Sequence, residues 1–88
     1  MELSTDTRFE GIVIPSLVNA YADFLTFDYK ITNFTVSINI SENIIITFIP
    51  KFAPEEGTPL GGKTKYGRVV SYEIDIKTGD IINRSFAR

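Results

Sequence analysis

The sequence predicts an α+β fold, in which one N-terminal helix packs on a curved four-stranded antiparallel sheet built from two hairpins. Three segments support this prediction: an amphipathic helical pattern and two later stretches in which apolar and polar residues alternate around a turn. The helical stripe and the apolar strand face are the two large apolar surfaces of the chain, so we expect them to pack together. With 88 residues, the chain should form one domain.

The predicted domain divides into five segments. They are an arm or short strand at residues 1–13, a helix at 14–27, a first hairpin at 30–52, a loop at 53–65 and a second hairpin at 66–88. The helix prediction rests on apolar residues spaced three or four positions apart, namely Ile14, Leu17, Val18, Tyr21, Phe24 and Leu25. This stripe should face the sheet. Pro15 suits a first helical turn, and Ser16 is a candidate N-cap.

The first hairpin is predicted from strict alternation of apolar and polar residues. Even-numbered positions are apolar from Phe34 to Ile40, and odd-numbered positions are Thr, Ser or Asn. Ser41-Glu42-Asn43 forms the turn, in which Asn43 can adopt the left-handed conformation. This turn pairs Ile40 with Ile44, Ile38 with Ile46 and Val36 with Phe48, and it directs the even-numbered residues toward the core.

The second hairpin is predicted around Lys77-Thr78-Gly79, with Gly79 in the left-handed region. This loop pairs Ile76 with Asp80, Ile74 with Ile82, Tyr72 with Arg84 and Val70 with Phe86. We interpret Asp75 as a turn residue that accepts bonds from nearby backbone amides, rather than as a calcium ligand. Tyr72 and Arg84 form either a pair at the rim of the core or a contact in which the arginine stacks on the Tyr72 ring.

Composition and charge exclude several function classes. The net charge of −2 gives no basic face for nucleic acid, and the chain has no histidine and no cysteine for nucleophilic catalysis or most metal sites. We therefore expect no enzyme and no cofactor. No apolar run approaches the roughly 20 residues that span a bilayer, and the start does not resemble a signal peptide. We expect a cytoplasmic protein.

One motif suggests a phosphate-binding loop. Gly57-Thr58-Pro59-Leu60-Gly61-Gly62-Lys63-Thr64 fits the pattern G-x-x-x-x-G-K-[ST]. That motif binds phosphate only between a strand and a helix, because the helix N-terminus supplies part of the electrostatic field. The residues that follow, Tyr66 to Tyr72, have strand composition, so we expect a glycine-rich connector and no nucleotide binding.

Several short sequences together resemble a known family. A helix containing Asn19-Ala20-Tyr21 precedes an alternating strand and a second strand that ends in Thr47-Phe48-Ile49-Pro50-Lys51. Gly61-Gly62 follows these strands. The last part of the chain contains Tyr72-Glu73-Ile74-Asp75-Ile76-Lys77-Thr78-Gly79-Asp80-Ile81-Ile82. Over about residues 14–88, this pattern resembles small bacterial proteins with a cystatin-like, nuclear-transport-factor-two-like cone. Some of these are immunity proteins of polymorphic toxin systems. The resemblance implies a non-enzymatic protein that binds and neutralises a partner toxin.

Three functions follow from these observations. The first is a protein-binding module, such as an immunity-type inhibitor, which acts by steric occlusion through the open sheet face or the loop at 53–65. The second is a small-ligand binder with a pocket between helix and sheet, lined by residues such as Tyr21, Phe24, Tyr72 and Arg84. The third is a structural homodimer, or a subunit of a homo-oligomeric assembly, joined through strand edges. The candidate partner- or ligand-binding residues are Lys63, Lys65, Tyr72 and Arg84.

Overall fold

The computed structural model describes residues 8–52 and 63–87, and of Lys63 it describes the backbone alone. One helix, α1 (Val13–Phe24), continues into a 3-10 turn (Leu25–Phe27), and a second 3-10 turn (Ile31–Asn33) precedes the strands. The strands are β1 (Phe34–Ile40), β2 (Ile44–Pro50), β3 (Lys63–Thr64), β4 (Gly67–Arg68), β5 (Val70–Ile74) and β6 (Ile81–Phe86). The helix packs on a four-stranded antiparallel sheet of order β1-β2-β5-β6, which confirms the predicted fold class.

The register of the first hairpin is as predicted. Ile40 pairs with Ile44, Ile38 with Ile46 and Val36 with Phe48. The predicted left-handed conformation of Asn43 is wrong, because Asp28 is the one non-glycine residue with a positive φ in the described part of the chain. Even-numbered side chains of the two central strands face the helix and are buried: Ile44, Ile46, Phe48, Val70, Tyr72 and Ile74.

The second hairpin follows the prediction along most of its length. Val70 pairs with Phe86 and Tyr72 with Arg84, but a bulge at Glu73/Ile74 pairs Ile74 with Ile81 instead of Ile82. The predicted Ile76–Asp80 pair is also wrong, because Asp75 is the residue that closes the loop: its N–H donates to Asp80 O (2.9 Å), and its own O accepts from Gly79 N–H (2.8 Å).

The turn itself has the predicted chemistry. Oδ1 of Asp75 accepts hydrogen bonds from the backbone N–H of Lys77 (2.7 Å) and Thr78 (3.3 Å). Gly79 has φ +81°, the left-handed region that favours glycine. Asn19 on α1 donates from Nδ2 to Gly79 O (2.7 Å), so the helix is tied directly to this turn.

The helix faces the sheet through a stripe that shares Phe24 with the predicted one, and Leu17 also packs against the core. Its buried residues are Val13, Ser16, Ala20 and Phe24, whereas Ile14, Val18, Tyr21 and Leu25 are exposed. Small side chains on the buried stripe let the helix backbone lie close to the sheet. The N-cap prediction is wrong as well, because Ser16 lies inside the helix and its hydroxyl donates to Ile12 O (2.7 Å).

Aromatic rings fill the end of the core beneath the helix C-terminus. The ring of Phe24 lies 4.4 Å from that of Phe48 and 4.9 Å from that of Phe34, between centroids. Gly67, with φ +148°, packs against Phe34 and Tyr29, where an added Cβ would lie 2.9 Å from Phe34 Cζ. The β3–β4 hairpin therefore closes this end of the sheet through a residue that must lack a side chain. No helix in the described residues has the length and apolar character that crossing a bilayer requires.

Candidate partner-binding surface

The main candidate site is an open groove between the helix and the outer strand β1. Its volume is about 290 Å³, and it is lined by Leu17, Val18 and Tyr21 of α1 together with Ile31, Val36 and Phe48. We call it the apolar groove, because every lining side chain is aliphatic or aromatic. The apolar pattern of the helix and of β1 predicted that these residues would pack between helix and sheet. It did not predict that they would line an open groove.

The groove exists because one helix covers only part of the sheet. The helix α1 packs over β2, β5 and β6, which leaves the helix-facing side of β1 partly open. Val36 is 42% exposed, whereas Ile46, on the neighbouring strand, is fully buried. On the helix, Val18 is 60% exposed and Ile14, one turn earlier, is 61% exposed. An apolar surface therefore extends from the groove along the helix, a feature that in soluble proteins marks binding sites.

The backbone of β1 offers hydrogen bonds beside this groove. Lys51 N–H donates to Asn33 O (2.9 Å) and Ser41 N–H to Asn43 O (3.0 Å), so odd-numbered residues of this strand bond toward β2. Antiparallel ladders alternate, and the N–H and C=O groups of the even-numbered residues therefore point away from β2. These residues are Phe34, Val36, Ile38 and Ile40, although the Phe34 N–H already donates to Ile31 O of the preceding 3-10 turn. Among the described residues β1 pairs with β2 alone, and we call this outer side of the strand the β1 edge.

The opposite face of the sheet is polar, and its side chains bond to one another. Thr47 Oγ1 lies 3.1 Å from Ser71 Oγ, and Asn43 Nδ2 donates to Glu73 Oε2 (2.9 Å). Binding surfaces draw most of their affinity from large anchors in desolvated pockets. The apolar groove offers such a pocket, whereas the opposite face carries mainly short polar side chains.

A second cluster joins the helix to the other side of the sheet. Oδ2 of Asp23 accepts hydrogen bonds from Tyr72 Oη (2.7 Å) and from Arg84 Nη1 (2.9 Å). The hydrogen bond from Tyr72 and the neighbouring Arg84 guanidinium lower the pKa of Asp23, against an opposing effect of burial. Burial and the Asp23 carboxylate raise the pKa of Tyr72 far above its ordinary value, so its hydroxyl stays a donor. The cluster therefore holds a stable carboxylate that pins α1 to β5 and β6.

The predicted pairing of Tyr72 with Arg84 is correct. The predicted alternative placed Arg84 on the Tyr72 ring, whereas the structure places its guanidinium over two phenylalanine rings. The Arg84 guanidinium lies 5.2 Å from the ring centroid of Phe27 and 5.7 Å from that of Phe86. Sequence reasoning missed Asp23, which joins the two residues. The sequence feature that could have indicated this role is the position of Asp23, an acidic residue directly before Phe24 of the predicted apolar helix stripe.

The structure separates the four candidate site residues. Tyr72 is fully buried, and the Arg84 side chain is 42% exposed. Lys65 lies exposed in the turn of the β3–β4 hairpin, and Lys63 begins β3. Of the residues predicted to line a ligand pocket, Tyr21 lines the apolar groove, whereas Phe24 and Tyr72 belong to the core. A role of Lys63, Lys65, Tyr72 or Arg84 in binding stays a prediction.

The phosphate-loop motif falls largely on residues that the structure does not describe, since Gly57–Gly62 lie within 53–62. Its last two residues, Lys63 and Thr64, form β3, and the residues after it form β4 and β5 rather than a helix, in agreement with their composition. Within residues 8–52 and 63–87, no group of three or more acidic residues is placed to hold a metal ion.

The fold and the groove together define a small α+β protein with one helix on an open antiparallel sheet and an uncovered apolar surface at one edge. We compared the chain with protein-family models, with curated proteins and with solved structures, and none of the three comparisons found a match.

Proposed function

We propose that this protein is a non-enzymatic protein-binding module, which adds an extended segment of a partner to the β1 edge. The observation that carries the proposal is the position of the outward backbone groups of β1 directly beside the apolar groove. Strand addition uses both features, because backbone hydrogen bonds supply affinity and pockets for alternate side chains supply specificity.

The composition of β1 supports the same mode of binding. Its seven residues, Phe34–Ile40, contain no charge and no proline, and such residues are what proteins place on edge strands to block pairing. Phe48 lies at the floor of the groove next to the strand, where an apolar side chain of the added segment would be seated. The preferred ligand is therefore an extended, uncharged segment with alternating apolar residues.

An immunity-type inhibitor is a specific form of this proposal. The resemblance of residues 14–88 to immunity proteins of polymorphic toxin systems implies a toxin as the partner, and strand addition would occlude the toxin segment that it binds. A bacterial source, a cystatin-like cone and a cytoplasmic location belong to the same proposal.

The proposal predicts saturable binding of an extended peptide. The probe is a fluorescein-labelled peptide in which three valines alternate with threonines between terminal lysines, and binding is measured by fluorescence anisotropy. We expect Val36→Pro to abolish binding, since proline removes an outward N–H without touching the ladder to β2. Val36→Lys should also abolish it by placing a charge in the groove.

The matched control is Ile82→Lys, which places the same charge on an exposed position of the opposite edge strand and should leave binding unchanged. Circular dichroism of each variant reports whether the fold is retained. The absence of saturable binding to the unaltered protein, or full binding by a folded Val36→Pro variant, would contradict the proposal.

A second candidate function is the binding of a small apolar ligand in the groove. Its volume of about 290 Å³ lies near the lower end of the range for ligand sites, and its lining is apolar throughout. We would titrate 1-decanol and follow the methyl resonances of the protein by NMR. Saturable shifts confined to Leu17, Val18, Ile31 and Val36, lost in Val36→Lys and kept in Ile82→Lys, would support it. Shifts that do not saturate would exclude this candidate.

A further inference from the structure

We infer that the β1 edge binds a second copy of this chain, with the two β1 strands antiparallel about a two-fold axis at Ser37. The inference rests on the proposed function, because it names the partner of the same edge and groove. A two-fold interface requires a surface that is complementary to itself. The sequence, the hydrogen-bonding direction and the charge of β1 each meet that requirement.

The pairing follows from the register of the strand. An axis at Ser37 places Val36 opposite Ile38 of the second copy, and Phe34 opposite Ile40 of the second copy. These even-numbered residues are the ones whose backbone groups point outward, so each Val36–Ile38 pair would exchange two hydrogen bonds. Each Phe34–Ile40 pair would form one, from Ile40 N–H to Phe34 O, because the Phe34 N–H already donates to Ile31 O. The four symmetry-related pairs therefore give about six hydrogen bonds between the two copies. Another register of the same parity would pair fewer residues of the seven-residue strand.

The side chains match on both faces of the joined sheet. On the helix-facing side, apolar residues meet apolar residues, and on the other side Thr35 meets Asn39 of the second copy, with Ser37 beside its own counterpart. Directly opposed apolar or hydroxyl-bearing residues stabilise antiparallel pairs. Val36, which lines the groove, and Ile40 are both partly exposed, and they would lose exposure to water where the two β1 strands pair.

Charge distinguishes the two edges of the sheet. The strand β1 carries no charged residue, whereas the opposite edge strand β6 carries Arg84. Pairing β6 with itself would bring Arg84 of both copies close together, and like charges opposite each other destabilise a sheet. The net charge of the chain is only −2, so the overall repulsion between two copies is weak. These charges favour a dimer through β1.

A cysteine at the axis tests this geometry directly. The chain has no cysteine, so Ser37→Cys introduces a single thiol. Residues opposite each other in a non-hydrogen-bonded pair have Cα atoms about 4.5 Å apart, within the range of a disulfide. We expect mild oxidation of Ser37→Cys at low micromolar concentration to give nearly complete disulfide-linked dimer. The matched control, Ser85→Cys, lies exposed on β6 and should remain at least tenfold less cross-linked.

Sedimentation velocity tests the state of the unaltered chain. We expect a dimer at tens of micromolar, and a monomer for Val36→Pro or for Val36→Lys, with Ile82→Lys still dimeric. A monomeric unaltered chain, or a Ser37→Cys variant that cross-links no better than Ser85→Cys, would overturn the dimer. If the unaltered chain is a monomer that binds the valine–threonine peptide, and if Val36→Pro abolishes this binding, the proposed function is supported and only the dimer is refuted. If the dimer forms, the same peptide should dissociate it, because both use the β1 edge.

Discussion

At the scale of single residues, the Asp23 carboxylate connects the helix to strands β5 and β6. Oδ2 of Asp23 accepts from both Tyr72 and Arg84, and Tyr72 is fully buried. A buried hydroxyl that loses its acceptor costs about 1–3 kcal/mol, whereas an exposed ion pair contributes little. The hydroxyl of Tyr72 is therefore the energetically important partner of Asp23.

We predict that Asp23→Ala lowers the free energy of unfolding at neutral pH by about 1–3 kcal/mol. The folded-state pKa of Asp23 lies below its ordinary value of 3.8, so its carboxylate stabilises the fold fully above that value. That stabilisation is lost as the pH falls through the lower, folded-state pKa. Urea denaturation gives the free energy of unfolding of the unaltered protein and of Asp23→Ala. The difference between these two free energies should be constant above about pH 5 and should shrink below about pH 4.

The control for this prediction is the same substitution in a Tyr72→Phe background. Without the phenol hydroxyl, Asp23→Ala leaves no buried donor unsatisfied, so its effect should be smaller. An equal loss of stability in both backgrounds would show that Tyr72 is not the partner that matters.

At the scale of elements, the β5–β6 turn and the start of the helix depend on each other. Gly79 is buried with φ +81°, and its carbonyl accepts from Asn19 on α1. A Cβ added at Gly79 would lie 3.5 Å from Ile12 Cδ1 and 3.6 Å from Pro15 Cβ. The turn therefore requires glycine mainly for its backbone conformation, and a larger side chain would also press on the helix.

We predict that Gly79→Val destabilises the fold by about 1–2 kcal/mol, because a β-branched residue resists a positive φ. The measurement is the midpoint of urea unfolding. The matched control is Gly11→Val, since Gly11 has open space around it and no positive φ, and its midpoint should change little. An unchanged midpoint for Gly79→Val would refute the requirement for glycine at this turn.

At the scale of the whole molecule, the binding surface is a consequence of covering four strands with one helix. The helix buries the central strands β2 and β5, and the cluster of Asp23, Tyr72 and Arg84 ties it toward β6. The β1 side is left with an exposed apolar face and an unpaired edge in the part of the chain that the structure describes. Both the proposed strand addition and the proposed dimer would pair the β1 edge and cover the apolar face beside it.

The sequence by itself determined the four strands of the main sheet and their side-chain alternation, because these depend on neighbours along the chain. It did not predict the β3–β4 hairpin or the bulge at Glu73/Ile74. The pairs Val36–Phe48 and Tyr72–Arg84 follow from that alternation. Tertiary packing decided which helix stripe is buried, since the predicted stripe of Ile14 and Val18 is the more apolar, but small Ser16 and Ala20 allow closer contact. Tertiary packing also produced the apolar groove. The groove exists because α1 leaves β1 partly uncovered, and no local sequence pattern predicts which strands a helix will cover.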